Sequence, residues 1–221
     1  MIIPSSDCQL CPRLCAFRSQ NKQQYPDFFN APVPSFGSID AEFLVVGLAP
    51  GLKGANRTGR PFTADYAGLI LYHSLQKYGF TTGEYEQRAD DGFKLVNCRV
   101  TNAVHCVPPE NKPTPAEITQ CNNFLQAEIT AMKNLRIIIS LGAVSHSAVL
   151  KALGLKPSFA KFKHGALHSI SCHPALVTGS GKKIYLLNSY HTSRYNINTG
   201  VLTQAMFDEI VGKASNLLDK G

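Results

Sequence analysis

Long apolar runs are missing from this chain. None approaches the ~20 residues needed to cross a bilayer, so no membrane partner is expected. A leader is missing as well: the stretch from Met1 to Cys8 carries neither a basic patch nor an apolar core, which predicts no secretory signal and a cytoplasmic protein. Acidic residues are few, 15 Asp and Glu against 22 Lys and Arg, for a formal net charge of +7. That balance suits a polyanionic partner, chiefly nucleic acid. No run of Lys or Arg forms a tail, so a basic face has to be assembled by folding. Repeats and low-complexity segments are also absent. With 221 residues, 44% of them hydrophobic, the chain predicts one core: a single domain over residues 1–221, acting as a monomer.

Cysteine is present in an odd number, seven. A reducing compartment disfavours disulfides, which leaves metal binding or simple burial. Cys8-Gln9-Leu10-Cys11 is a close pair; Cys106 and Cys121 form an open one. Thiolates suit zinc or iron–sulfur centres. The open second pair reaches too far for a zinc knuckle and suits a bulky [4Fe–4S] cube better than one small ion. Cys15 extends the first pair to C-x2-C-x3-C and is a rival ligand. Cys98 and Cys172, within apparent strands, read as buried thiols.

Strand and helix patterns alternate along the chain. Strands are expected over Glu42–Val46, Lys94–Cys98, Arg136–Leu141, Leu167–Cys172 and Lys183–Asn188. Helices are expected over residues 65–78, 115–133, 143–153 and 200–219. The second has a strong start: Thr114 as cap, Pro115 in the first turn and Glu117 completing a capping box. Residues 26–38 read as an ordered surface loop. Alternation of this kind predicts a parallel sheet covered by helices on both faces. Function then belongs to loops at the carboxyl ends of strands, here after Val46, Cys98 and Asn188.

The first of these loops, Gly47 to Asp65, is glycine-rich. Gly54-x4-Gly59-Arg60-Pro61 approaches a P-loop but lacks its Lys and hydroxyl. Asn56, Arg57, Arg60 and Asp65 beside Phe62 fit a base-binding pocket instead. In the last loop His191 stands at a strand end. Ser193, Arg194 and Asn196 can bind phosphate there, and Tyr195 can stack or wedge. His105, His146, His164, His168 and His173 have no such setting and read as structural.

Together these loops and cysteines resemble the uracil-DNA glycosylase superfamily, specifically its family 5. Gly47-Leu-Ala-Pro, Gly54, Asn56-Arg-Thr-Gly-Arg60, Phe62-Thr and Asp65 match the first motif of that family. His191 to Gly200 matches the second, with Thr192 in place of proline. The resemblance implies a three-layer α/β/α sandwich around a short central parallel sheet. It implies hydrolysis of the N-glycosidic bond of uracil in DNA, with hypoxanthine as a second base. By position it makes Cys8, Cys11, Cys106 and Cys121 the ligands of a [4Fe–4S] cluster and leaves Cys15 out. Asn102 would read the base edge, Phe62 would stack on the base, and His191 would meet the uracil O2 region, within a pocket that includes Gly47 and Ala49. The partner is DNA containing uracil or other deaminated bases.

Such chemistry needs a flipped base, at a cost of a few kcal/mol, and fixed donors for the departing anion. His191 and amides of the glycine-rich loop are the expected donors. Lys53, Arg57, Arg60 and Arg194 are expected on phosphates. Ala49 stands where many relatives place a water-positioning side chain, so water falls to Asn56 or Asp65. Asn56, deeper in the loop, is placed ahead, since Asp65 can also cap the following helix. A reading from another class is a non-catalytic iron–sulfur protein that binds nucleic acid.

Overall fold

A computed structural model describes residues 3–170 and 183–219. The elements are, in order, α1 (Pro12–Gln24), β1 (Phe43–Gly47), α2 (Ala55–Thr58), α3 (Tyr66–Lys77), β2 (Thr81–Thr82), β3 (Lys94–Leu95), β4 (Cys98–Asn102), α4 (Pro115–Ala131), β5 (Ile137–Leu141), α5 (Ala143–Ala152), β6 (Leu167–Ile170), β7 (Ile184–Ser189), α6 (Arg194–Asn198) and α7 (Gln204–Asp219). The main sheet runs β4-β1-β5-β7-β6. Its first four strands are parallel, and β6 pairs antiparallel with β7. The sheet is therefore mixed at one edge, where an all-parallel one was expected.

β1 and β5 are buried along their whole length, as parallel strands covered on both faces must be. Alternate residues of β1 serve different layers. Phe43 and Val45 join a core with Leu71 and Leu75 of α3 and Phe207 and Ile210 of α7. Leu44 and Val46 join the opposite core with Leu125 and Ile129 of α4 and Val149 of α5. This is the three-layer α/β/α sandwich. The predicted capping box opens α4: Thr114 Oγ1 accepts from Glu117 N at 3.3 Å while Glu117 Oε2 accepts from Thr114 N at 2.7 Å.

Several boundaries differ from expectation, each for a local reason. The strand expected over Lys94–Cys98 breaks at Asn97, which takes φ 48°, and β4 of the main sheet starts at Cys98. Asn102 thus ends a strand in place of riding on a loop. The helix expected over 200–219 is α7, which starts later, at Gln204, and the loop before it holds the short helix α6. In α5 Val144 is 44% exposed, while His146, Ala148, Val149 and Ala152 are buried. Loop 26–38 is more than surface: Val33 is buried, and Phe36 makes an antiparallel bridge to Val100 of the edge strand β4. Helix α1 carries no apolar stripe; its buried residues are Leu14, Arg18 and Asn21. The part of the Leu167–Cys172 strand beyond Ile170, with Cys172 and His173, lies outside the described residues.

Candidate active site

The carboxyl ends of β1, β4 and β7 open into one cleft of about 720 Å³. Its walls are the glycine-rich loop from Leu48 to Ala55, then Phe62 and Ala64 to Ala67, with Asn102, Asn111, His191, Ser193 and Arg194 closing it. All three loops singled out by the sequence meet here.

Strand register puts Gly47 directly beside Asn102. A Cβ at Gly47 would collide with Asn102 Oδ1 and with the Phe62 ring. Glycine is required there because both side chains pass over it. Asn102 is 4% exposed, and its Oδ1 has no hydrogen-bond partner. A buried, unpartnered acceptor costs about 1–3 kcal/mol, a cost recovered when a donor enters the cleft. Phe62 and Ala64 adopt left-handed φ of 52° and 64°, the kind of strain that gathers at binding sites. The Phe62 carbonyl is held by Tyr85 Oη, which donates to it at 2.8 Å. It also lies so close to Gly68 that a Cβ there would overlap it.

Asp65 has two tasks. Oδ1 accepts from Gly68 N at 2.8 Å and caps α3, while the residue also lines the cleft. A Cβ on Gly54 would come within 2.8 Å of Asp65 Oδ2, so Gly54 leaves that oxygen room. Burial pushes the Asp65 carboxyl up, opposed by the Gly68 N–H. Ala49 lines the cleft beside them. Asn56 sits elsewhere. It is fully buried, it is not part of the lining, and its Nδ2 donates to Asn30 Oδ1 at 2.9 Å. Depth in the loop thus takes Asn56 behind the wall of the cleft, while Asp65 lies on it.

His191 lines the cleft, its ring centroid 6.5 Å from that of Phe62. Burial lowers its pKa, which keeps the imidazole neutral at neutral pH. Asn196 Nδ2 donates to the His191 carbonyl at 2.8 Å, so that amide fixes the loop. Ser193 Oγ accepts from Asn196 N at 3.4 Å and caps α6, although Ser193 still borders the cleft. Arg194 lies over Tyr66, 5.2 Å from the ring centroid. Tyr195 is 74% exposed. Thr192, in the proline's place, is wholly buried.

Arg60 is a correction. It was expected on a phosphate, but it is buried and bonds Asp91 through Nη1 at 2.7 Å and Nη2 at 2.8 Å. Phe36, Tyr85 and Phe93 surround its guanidinium at 5.2–5.6 Å. It is an internal clamp of the glycine-rich loop. Lys53 and Arg57 are exposed, and Lys53 stands on the cleft. Three other histidines have structural partners. His105 Nδ1 lies 2.8 Å from Val33 O, His146 bridges Asn188 Oδ1 and Ala160 O, and His164 Nδ1 accepts from Tyr190 N at 3.1 Å. Asn111 and Tyr66 were missed, because proximity to the cleft leaves no local pattern in sequence.

Away from the cleft, Cys8, Cys11, Cys106 and Cys121 line one small pocket with Leu14, Val104 and Phe124. Burial pushes the Cys106 thiol up to about 11 and the Cys121 thiol up to about 12. Among the described residues no three His, Cys, Asp or Glu side chains converge as the ligands of a single ion do. Cys15 borders the pocket, but its Sγ donates to the Cys8 carbonyl at 3.2 Å. Arg13 bonds both oxygens of Glu117 at 2.7–2.8 Å and donates to the Lys112 carbonyl at 3.0 Å. The loop that carries Asn111 is thereby tied to α1. Cys98 is a buried strand thiol.

An α/β/α sandwich whose cleft joins a strand-end Asn, a buried Phe and a His loop defines the class. The chain belongs to the uracil-DNA glycosylase superfamily, whose model matches residues 34–214. Within it the chain belongs to type 5. The type-5 uracil-DNA glycosylase of Thermus thermophilus is 40% identical over 215 residues, 95% of this chain and 93% of that protein. The type-5 enzyme of Pyrobaculum aerophilum is 37% identical over 213 residues, 95% and 88% of the two chains. A type-4 uracil-DNA glycosylase of Thermotoga maritima is 29% identical over 185 residues, 83% and 81%.

Proposed function

We propose that this protein is a DNA repair glycosylase that hydrolyses the N-glycosidic bond of uracil and leaves an abasic site. The observation that carries the reading is the unpartnered, buried Asn102 Oδ1 at the cleft. Uracil presents an N3–H donor beside the O4 acceptor. An asparagine amide matches that pair, and cytosine reverses it. Hypoxanthine offers the same order at N1–H and O6, so it is the expected second base. Phe62 forms the stacking wall.

Bond cleavage leaves a cationic sugar and an anionic base. Neutral His191 donates a hydrogen bond toward O2, where the anion's charge collects. Asp65 offsets the sugar's charge and orients the attacking water. Its placement in the cleft supports that role over Asn56. Lys53, Arg57 and Arg194 hold the backbone, and Tyr195 fills the space of the flipped nucleotide. Residues 1–221 act as one domain and as a monomer in the cytoplasm; no helix among the described residues is long and apolar enough to cross a membrane.

Cys8, Cys11, Cys106 and Cys121 hold a [4Fe–4S] cluster. Four cysteines lining one pocket support the ligand set, and the open spacing of Cys106 and Cys121 favours a cube over zinc. When bound, the cluster braces α1 against α4 and the segment after Asn102. The test is release of uracil from a G·U duplex, read as strand cleavage by alkali. A strand left intact after long incubation rejects the activity. Tight binding without base release instead favours a non-catalytic iron–sulfur protein that binds nucleic acid.

A further inference from the structure

Arg18 is 7% exposed. Its guanidinium donates through Nη1 to Cys106 Sγ at 3.0 Å and through Nη2 to the Cys8 carbonyl at 2.7 Å. Nη2 also lies 3.8 Å from Cys15 Sγ. Among the described residues it forms no ion pair: Glu117, the nearby carboxylate, is already matched in both oxygens by Arg13. A buried cation without a counter-ion is among the costliest arrangements a fold can carry. Here the guanidinium fork bonds two residues that line the cysteine pocket, so the missing negative charge is sought in the occupant of that pocket. A cube in the [4Fe–4S]²⁺ state with four thiolates carries net charge of about −2 and has sulfurs that accept N–H donors.

We propose that Arg18 is the built-in counter-cation of the cluster, donating to the Cys106 sulfur, raising the cluster's reduction potential and resisting its loss. The inference rests on the iron–sulfur reading above. A fixed positive charge and an N–H···S bond each favour the more reduced, more negative cluster. The contact has structural reach. Cys106 follows Asn102 by four residues, so the guanidinium links the first helix to the segment leaving the base-reading strand. The bidentate geometry suits arginine better than lysine.

The test uses full-length protein purified without oxygen, as wild type, Arg18→Lys, Arg18→Gln and Arg18→Met. Three quantities are read: iron and sulfide per chain, midpoint potential by voltammetry, and bleaching of the visible absorbance in air. Arg18→Met is expected to shift the potential downward and to bleach several-fold faster. Arg18→Lys, which keeps the charge, should fall between it and wild type. If Arg18→Met loses iron while Arg18→Lys keeps it, the charge is needed for retention, which supports the proposal. If Arg18→Met is insoluble, Arg18→Gln takes its place in the same comparison. Fully loaded neutral variants with the wild-type potential and bleaching rate overturn the proposal. So does an Arg18→Lys shift as large as that of the neutral variants. Wild-type protein without iron or sulfide rejects the cluster itself, a result distinct from a loaded cluster whose potential ignores Arg18.

Discussion

The base cleft and the cysteine pocket are each incomplete, but in different ways. The cleft lacks a hydrogen-bond donor, at Asn102 Oδ1; the cysteine pocket lacks negative charge, beside Arg18. The cleft rests on strands buried along their whole length and on helices with large apolar faces. Helix α1 contributes one buried apolar residue, Leu14, to its own docking. The cleft can therefore stand preformed without its ligand, whereas α1 would depend on the proposed cluster. One region is built to exchange its occupant, the other to keep it.

The sharpest way to break that contrast is at Asp65. Asparagine is as good a helix cap as aspartate, so Asp65→Asn should leave thermal stability nearly unchanged. Uracil release should fall about 10²- to 10⁴-fold, measured in single turnover. Its acid limb should also vanish. The raised Asp65 pKa makes the wild-type rate fall with decreasing pH earlier than an ordinary carboxylate would. A large loss of melting temperature would make Asp65 a cap and nothing more. Next, His191→Ala should lose about 10²- to 10³-fold, while His164→Ala stays within a few-fold; equal rates remove His191 from the mechanism.

The third test asks what preforms the cleft. Asp91→Asn leaves Arg60 buried and unpaired and should cost about 3–5 kcal/mol, read by denaturant unfolding. The pair with Arg60 holds the Asp91 carboxyl well below the usual carboxylate range. Its stabilisation is complete above the unfolded value near ~4 and is lost as pH falls toward the depressed folded one; acid unfolding of the variant should lack that component. Fourth, stripping iron should speed amide exchange in α1 about tenfold or more while β1 and β5 keep their protection. Uniform loss in both regions would erase the distinction. The smallest effect belongs to Lys53→Ala, which should reduce the salt slope of DNA binding by about 1.

The sheet, the two flanking layers and the capped α4 were legible because each is written in local periodicity or capping chemistry. The cleft's residues were legible as types, through the two motifs, but their directions were not. Arg60 and Asn56 look like ligands in sequence; only packing reveals that Asp91 and Asn30 claim them. Asn196 is similar, since its amide is taken by the His191 carbonyl. Asn111 left no signal, because it enters through a loop anchored by Arg13. The start of β4 was misplaced for want of the left-handed Asn97, and with it the fact that Asn102 has a strand's fixed register.

Strand β4 is the end of the sheet, and its outer hydrogen-bonding edge would be open to any passing extended chain. Phe36 answers Val100 there with a pair of backbone bonds, 2.8 and 2.9 Å. The Phe36 ring also lies against the Arg60 guanidinium. The segment that blocks this adhesive edge is thus packed on the clamp of the glycine-rich loop. Damage to that clamp should expose a strand edge as well as spoil a cleft, so variants at Arg60 or Asp91 carry an aggregation hazard that variants at Asp65 or His191 do not.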